Sequence, residues 1–242
     1  MLSDMFSYAW MPGRDAFLDL LRHNMLMQKP RRTRYTTNSN HRYHKWKNLI
    51  KGLVPTHANQ LWVSDITYID LEDGCCYLHL VTDAYSKKIV GWCLAGSLGA
   101  ICTLKALRMA IEQAGGGDLS GLIHHSDRGV QYCCDMYVEE LQSHGIRISM
   151  TEDYKPTDNA IAERVNGIIK SESIYHQARR FSTIEEAREH IQRFISFYNG
   201  RRPHMSIGNQ TPDSVHHQQG EQKKMWKTKI YHKNNLSLQI KT

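Results

Sequence analysis

The sequence predicts an α/β fold built on a mixed five-stranded sheet that is flanked by helices. Three segments with strand-like alternation of apolar and polar residues come first, between residues 60 and 95. Farther along, short apolar runs alternate with segments whose apolar residues recur every three or four positions, the spacing of helices packed on a sheet. Apolar residues make up 40% of the 242 residues and charged residues 23%, a balance that allows a packed core and argues against wholesale disorder.

The N-terminal part predicts one helix followed by a basic linker. Residues 14–27 place four apolar side chains on one helical face. Residues 29–51 then carry eight Lys or Arg and no Asp or Glu, with turn-forming residues between them, which indicates little regular structure. Aromatic residues lie among these cations, which favours contact with DNA phosphates through side chains such as Arg31, Arg32 and Arg34. The alternative is a solvated arm without a specific partner.

The remaining elements are predicted in chain order from turn signals and apolar spacing. A strand over 60–70, the turn Asp73-Gly74, and strands over 75–82 and 89–95 form a meander. The later elements are a helix over 98–114, a strand over 122–126, a helix over 132–144, a strand over 146–150, a helix from about Asp158 to Tyr175, and a helix that a capping box opens at Ser182. Ribonuclease-H-like domains have this order, which is an analogy at the level of the fold alone.

Charge and cysteine usage restrict the partner and the compartment. The formal net charge of +7 and the pI near 9.1 favour a polyanionic partner, nucleic acid before membrane. No apolar run reaches the roughly 18 residues of a membrane span, and the N-terminus lacks a secretory pattern. The six cysteines predict buried or half-buried thiols in a reducing cytosol. A metal site of His124 and His125 with Cys133 and Cys134 is the less favoured alternative.

Three acidic residues lie where acids are hard to explain by solubility. Asp65 lies inside an apolar strand, Asp127 directly follows a buried strand, and Glu163 lies in the first turns of a helix. Mg²⁺ and Mn²⁺ prefer oxygen ligands, and two such ions can activate an attacking oxygen and stabilise a leaving oxygen at a phosphodiester. We therefore predict that these three acids are the catalytic residues and metal ligands of one site that holds Mg²⁺ or Mn²⁺, with two ions.

Each of these acids, taken singly, also has a structural interpretation. An Asp in a strand can pair with a Lys, and a Glu near a helix start can interact with the helix dipole. Their joint placement in a basic α/β chain favours the catalytic interpretation. Helical spacing also puts Lys170, Asn159 and either Asn166 or Gly167 on the side that carries Glu163. From there Lys170 can reach a phosphate, although pairing with a neighbouring Glu is the alternative.

Four motifs resemble those of insertion-sequence transposases with a retroviral-integrase-type core. Their spans are Trp62 to Ile69, His124 to Tyr132, Asp158 to Gly167 with Lys170 at the matching basic position, and Tyr198 to His204 followed by Thr211-Pro212. The match runs from about residue 13 to 213. The resemblance is strongest to the second-frame (OrfB) products of elements with two overlapping frames.

The resemblance implies a DNA transposase that acts on double-stranded DNA as a homo-oligomer in the bacterial cytoplasm. It implies metal-dependent cleavage at the ends of a mobile element and transfer of the 3′-hydroxyl to another strand, that is, DNA transposition, recombination and integration. Asp65, Asp127 and Glu163 would then be the Asp-Asp-Glu ligands of two metal ions. Residues with an implied DNA contact are Lys170 and, as weaker candidates, Asn159, Arg164, Tyr154 and His125.

We expect four segments along the chain. They are a remnant of an N-terminal helix-turn-helix region over 1–28, a basic linker over 29–56, an integrase-type catalytic core over 57–213 and a basic C-terminal extension over 214–242. The short N-terminal region has three explanations: a truncated copy, a mis-called start, or a product normally joined to an upstream frame. In the third case an upstream-frame protein would supply recognition of the element ends. Two alternatives stay open, a truncated and catalytically silent DNA-binding relic, and a nuclease of the same fold that cuts without joining.

Overall fold

The computed structural model describes residues 13–26, 40–152, 159–175 and 177–222. The chain divides into two compact units, Met1–Tyr35 and Thr36–Thr242. Helix α1, Arg14–His23, belongs to the first unit and ends four residues earlier than predicted. The predicted linker contacts Arg31, Arg32 and Arg34 lie outside the described residues.

The second unit is built on one five-stranded sheet in the order β3-β2-β1-β4-β5. The strands are β1 (Leu61–Asp70), β2 (Cys75–Asp83), β3 (Ile89–Ala95), β4 (Ile123–Ser126) and β5 (Arg147–Met150). β1, β2 and β3 are antiparallel neighbours, whereas β4 is parallel to both β1 and β5. The sheet is therefore mixed, as predicted.

Helices cover both faces of this sheet. They are α2 (Ala100–Gln113), α3 (Val130–Cys133), α4 (Asp135–Ser143), α5 (Ala160–Ile169), α6 (Ile184–Gly200) and α7 (Pro212–His216), with a π-helical turn over Lys170–Ile174 and a 3₁₀ turn over Met205–Ile207. α2, α3 and α4 pack against one face, in a core that contains Trp62 and Ile66. α5 and α6 pack against the other face, in a core that contains Ile69. Residues of β1 alternate between the two cores because side chains of a strand alternate between faces.

The helix predicted over 132–144 is two helices. Cys134 has φ −70° and ψ 150°, which is extended backbone, so it ends α3 and serves as the N-cap residue of α4. Apolar residues keep their helical spacing through Cys134, so the sequence pattern does not reveal the extended backbone there.

The part of the basic linker that the structure describes packs against the sheet. Residues 40–56 contain no helix or strand, as predicted. The Leu49 backbone N–H donates to Ser149 Oγ at 2.8 Å, and Met150 N–H donates to the Lys47 carbonyl at 3.4 Å. The start of the predicted C-terminal extension is packed too, since Gly220 N–H donates to the Thr56 carbonyl at 2.8 Å.

The six cysteines are free thiols, each buried or half-buried, which confirms the predicted burial. Cys133 Sγ lies 3.6 Å from Met150 Sδ inside the core, so it is engaged in packing. No helix within the described part of the chain is long and apolar enough to cross a membrane.

Candidate active site

Asp65 lies on β1, and Asp127 directly follows β4, the parallel strand beside it. β1 and β4 pair only from Leu61 opposite Ile123 to Val63 opposite His125. Each acid lies two residues beyond the last of these pairs. Because side chains of a strand alternate with a period of two, Asp65 lies on the same face of the sheet as Val63, and Asp127 is close enough for its charge to act on Asp65.

Helix α5 brings Glu163 to the same region. At the start of the helix, Asn159 Nδ2 donates to the Ser64 carbonyl of β1 at 3.0 Å. One helical turn beyond Glu163, Asn166 Nδ2 donates to Asp65 Oδ2 at 2.7 Å. These two bonds hold the helix against β1 on either side of Glu163.

The three acids interact electrostatically. Burial, and next the charge of Asp127, raise the pKa of Asp65 to about 7, with a smaller contribution from Glu163. Hydrogen bonds from the Ile66 N–H and from Asn166 act in the opposite direction. Burial also raises the pKa of Glu163. Accumulated negative charge of this kind is what a bound cation offsets.

The loop after Asp127 is held closely. Gly129 N–H donates to Asp127 Oδ1 at 2.9 Å. A Cβ at Gly129 would lie 3.0 Å from that oxygen and 2.9 Å from Gln131 Oε1, so a larger residue would crowd the acid. From the basic segment, His41 Nε2 lies 2.8 Å from the Arg128 carbonyl, which attaches this segment to the loop.

Lys170 directly follows α5, the helix that carries Glu163. Its Nζ is 3.9 Å from the centroid of the Tyr68 ring, a cation–π contact with a residue of β1 three positions beyond Asp65. Arg164 is exposed on α5 next to Glu163. Both cations thus lie on or directly after the helix that carries Glu163, and their contact with DNA stays a prediction.

Two other predicted DNA contacts lie in the interior, and a third is not described. His125 is fully buried, with Nδ1 2.8 Å from Ser149 Oγ, and Asn159 is 6% exposed. Their visible contacts are within the protein, and their contact with DNA stays a prediction. Tyr154 lies outside the described residues.

The fourth sequence motif, Tyr198 to His204, is the C-terminal signature, and two of its residues connect neighbouring elements. Asn199 accepts from Ile89 N–H at 3.0 Å through Oδ1 and donates to the Ile89 carbonyl at 2.9 Å through Nδ2. Arg202 makes a two-contact ion pair with Glu172 in the π-helical turn, with Nε 2.6 Å from Oε2. The signature thus connects α6 both to the sheet and to the segment that carries Lys170.

Asn166 is the site residue whose contact sequence reasoning missed. Helical spacing put it on the side of Glu163, but spacing alone does not reveal which group a side chain meets. The structure shows it at 7% exposure and bonded to Asp65.

The donor set suits a hard divalent cation, because three carboxylates offer only oxygen ligands. Asp65 and Asp127 each already accept a backbone hydrogen bond. Across residues 13–26, 40–152, 159–175 and 177–222, no three His, Cys, Asp or Glu side chains are gathered closely enough to hold an ion. The three acids therefore fit such a cation in the chemistry of their oxygens, although these described side chains do not converge on one point.

Comparison with known proteins finds relatives over most of the chain. The integrase core domain family matches residues 55–156, and a second family of the same description matches residues 144–212. The "Insertion element IS600 uncharacterized 31 kDa protein" of Shigella sonnei is 38% identical over 203 residues, which are 83% of this chain and 73% of the relative. The "Putative transposase for insertion sequence element IS986/IS6110" of Mycobacterium tuberculosis is 36% identical over 161 residues, which are 65% of this chain and 58% of that relative.

Solved structures share the fold. A simian T-cell lymphotropic virus intasome, solved in complex with the PP2A regulatory subunit B56 gamma, matches with a TM-score of 0.56 at 17% identity, over 80% of this chain and 67% of that chain. The HTLV-2 integrase catalytic core domain in complex with magnesium matches with a TM-score of 0.50 at 19% identity, over 66% of this chain and 98% of that chain. At these identities the likeness concerns the fold, and it confirms the predicted ribonuclease-H-like class.

Proposed function

The chain belongs to the family of insertion-element transposases with an integrase core domain, and from this premise we propose that it cleaves and joins DNA at the ends of a mobile element. The observation that carries the proposal is the placement of Asp65 on β1 and of Asp127 directly after the parallel strand β4, with Glu163 brought to the same region by α5. Family membership agrees with the resemblance found in the sequence motifs.

Asp65, Asp127 and Glu163 would hold the metal, which we propose to be two Mg²⁺ or Mn²⁺ ions. Such ions supply activation of an attacking oxygen and stabilisation of a leaving oxygen at phosphorus. Support comes from the all-oxygen donor set and from the raised pKa of Asp65. A structural neighbour, the HTLV-2 integrase core, was itself solved with magnesium.

The protein's own residues have separate tasks around these acids. Asn166 orients the Asp65 carboxylate through its amide. Lys170, over the Tyr68 ring and directly after the helix that carries Glu163, would pair with a DNA phosphate. The net charge of +7 would attract double-stranded DNA to the surface as a whole.

We further propose that the chain acts as a homo-oligomer on DNA in the bacterial cytoplasm, with an upstream-frame protein supplying end recognition. An intasome among the structural neighbours supports assembly on DNA ends. Insertion elements of bacteria among the relatives support the compartment.

A strand-transfer assay tests the proposal. It uses the purified chain, labelled DNA with the element's own ends, and Mg²⁺ or Mn²⁺. The Asp127→Asn variant keeps an oxygen that can accept from Gly129 N–H but removes the charge, so the loop is preserved while activity should vanish. Asp135→Asn, an equal change at an exposed position on α4, should leave activity intact.

The alternatives predict different products. Binding of DNA without cutting, in the presence and absence of the upstream-frame protein, would indicate the catalytically silent relic. Cutting without joining would indicate a nuclease of the same fold. Either result would overturn the transposase assignment for this chain.

A further inference from the structure

Ser64 is joined to the elements that carry the other two acids. It directly precedes Asp65 on β1, and its Oγ lies 2.7 Å from Nε2 of His124 on β4, three residues before Asp127. Its backbone carbonyl accepts from Asn159, the N-cap residue of the helix that carries Glu163. One residue of β1 is thereby bonded both to β4 and to the start of α5.

This junction lies where the two central strands separate. Pairing of β1 with β4 ends at Val63, so Ser64 is the first residue of β1 beyond the paired stretch. At Ser64, side-chain contacts join the elements in place of backbone pairing: His124 contacts the Ser64 hydroxyl, and Asn159 donates to the Ser64 carbonyl. The spacing of Asp65 from Asp127 is therefore set by side-chain contacts as well as by the sheet.

The junction is closed to solvent. Ser64 is 1% exposed, His124 is fully buried and Asn159 is 6% exposed. Tyr137 Oη lies 2.9 Å from the same Nε2, and the Tyr137 and His124 rings meet edge to face with centroids 5.5 Å apart. Because a buried hydroxyl or amide is costly to leave without a partner, losing one of these contacts should disturb the junction.

We propose that Ser64 is a positioning residue that sets the mutual spacing of Asp65, Asp127 and Glu163. The hydroxyl fixes β1 against β4, and the carbonyl fixes β1 against α5. The inference rests on the proposed function, since it concerns the geometry that the three acids offer to a divalent cation. A purely structural role would stabilise the fold without any specific effect on cation binding.

Mn²⁺ binding to the full chain, followed by calorimetry, distinguishes the two roles. Ser64→Ala should weaken Mn²⁺ binding by about 10- to 100-fold, the range found when groups that orient metal ligands are lost. Ser64→Thr, which restores a hydroxyl, should recover most of the affinity. Asn159→Ala removes the bond from Asn159 to the Ser64 carbonyl, at the start of α5, and should weaken Mn²⁺ binding too. This variant provides the test if Ser64→Ala does not fold.

The matched control is a variant of Thr103. Its Oγ1 lies 2.8 Å from His79 Nδ1, so this contact also joins a buried hydroxyl to a buried histidine. Thr103→Val should lower the free energy of unfolding in urea about as much as Ser64→Ala does, yet leave Mn²⁺ binding unchanged. Equal Mn²⁺ affinity in the wild type and in Ser64→Ala would overturn the positioning role alone. Absence of Mn²⁺ binding in the wild-type chain would overturn both this role and the proposed metal site.

Discussion

At the scale of single residues, Asn166 connects the helix that carries one acid to the carboxylate of another. Its amide donates to Asp65, and this hydrogen bond lowers the pKa of a carboxyl that burial and Asp127 raise to about 7. Losing the bond should raise that pKa further, so that more of the Asp65 carboxyl is protonated at neutral pH.

We expect Asn166→Ala to weaken cation binding and strand cleavage by about 10- to 100-fold. The measurement is the Mn²⁺ concentration that gives half-maximal cleavage at pH 7.5. Gly167→Ala, a change at the next position of the same helix, should leave that concentration unaltered. Wild-type behaviour of Asn166→Ala would show that the bond to Asp65 has no part in presenting the acid.

Sequence patterns pointed to the three acids as candidates but not to the groups that contact them. Asp65 and Asp127 stand out because acids are rare inside and directly after apolar strands. Asn159 was predicted only as a DNA contact, and its bond to Ser64 joins residues 95 positions apart. Spacing along a helix reports which face a residue occupies, whereas its partner depends on how elements distant in the chain pack.

At the scale of elements, two glycines that look alike in the sequence have opposite structural roles. A Cβ at Gly91 of β3 would lie 2.0 Å from the Ala106 carbonyl oxygen of α2, closer than atoms can approach. A Cβ at Gly167 of α5 would meet no atom within 4 Å. Gly91 therefore permits helix α2 to approach the sheet, and Gly167 has no comparable steric role.

Gly91→Ala should destabilise the fold by about 1–3 kcal/mol, because α2 must move away from the sheet. Gly167→Ala should stabilise it by about 0.5–1 kcal/mol, because alanine favours the helical backbone. Urea unfolding of the two variants provides the comparison, and a shift of the same sign in both would contradict the packing described for β3 and α2.

The contact of Asn199 with Ile89 leads to a second prediction at this scale. Asn199→Ala leaves the N–H and the carbonyl of Ile89 without these partners, so we expect a loss of about 1–3 kcal/mol in the free energy of unfolding. Arg201→Ala, at an exposed position two residues along, should change it little. Equal free energies of unfolding for the two variants would show that the bonds of Asn199 to Ile89 do not contribute to stability.

Element positions were predicted closely where the pattern was strong. All five strands lie within one residue of their predicted limits, and β3 matches at both ends. The prediction of one helix over 132–144 was wrong, because the extended backbone at Cys134 divides it without disturbing the apolar spacing. Backbone torsion angles at a single residue are a property of the packed chain that side-chain patterns do not encode.

At the scale of the whole molecule, buried histidines should make the fold sensitive to acid. Burial lowers the pKa of His79 to about 4, of His124 to about 3 and of His204 to about 4. An unfolded chain takes up these protons near pH 6.5, whereas the folded chain resists them. Stability is therefore fully present above about pH 6.5 and declines as the pH falls toward 4.

We expect each of these histidines to contribute a decline of up to about 1.4 kcal/mol per pH unit in this window. Asp65 acts in the opposite direction, because its raised pKa lets the folded chain bind a proton first. Urea unfolding of His79→Gln from pH 7 to 5 isolates one histidine, and its slope should be lower than that of the wild type. His44→Gln, at an exposed position, should keep the wild-type slope.

The extent of the packed unit was harder to predict than its sheet. Residues 40–56 are basic and sparse in apolar residues, so their composition indicated a linker, yet Ile50 and Leu53 pack against the core. Residues 217–222 likewise lie against Thr56 and Tyr85. A segment with few apolar residues can still pack against the core when its backbone groups are hydrogen-bonded. Amino-acid composition does not reveal those hydrogen bonds.

Both outermost strands of the sheet are covered by other parts of the chain. Along β3, Asn199 occupies the backbone of Ile89, and Arg188 Nη2 donates to the Leu94 carbonyl at 3.3 Å. Along β5, the Lys47 carbonyl accepts from Met150 N–H. Exposed strand edges are templates on which further strands add and aggregates grow. Removing residues 40–50 to obtain a minimal core would uncover β5, and such a truncated chain should precipitate at concentrations where the longer chain stays dispersed.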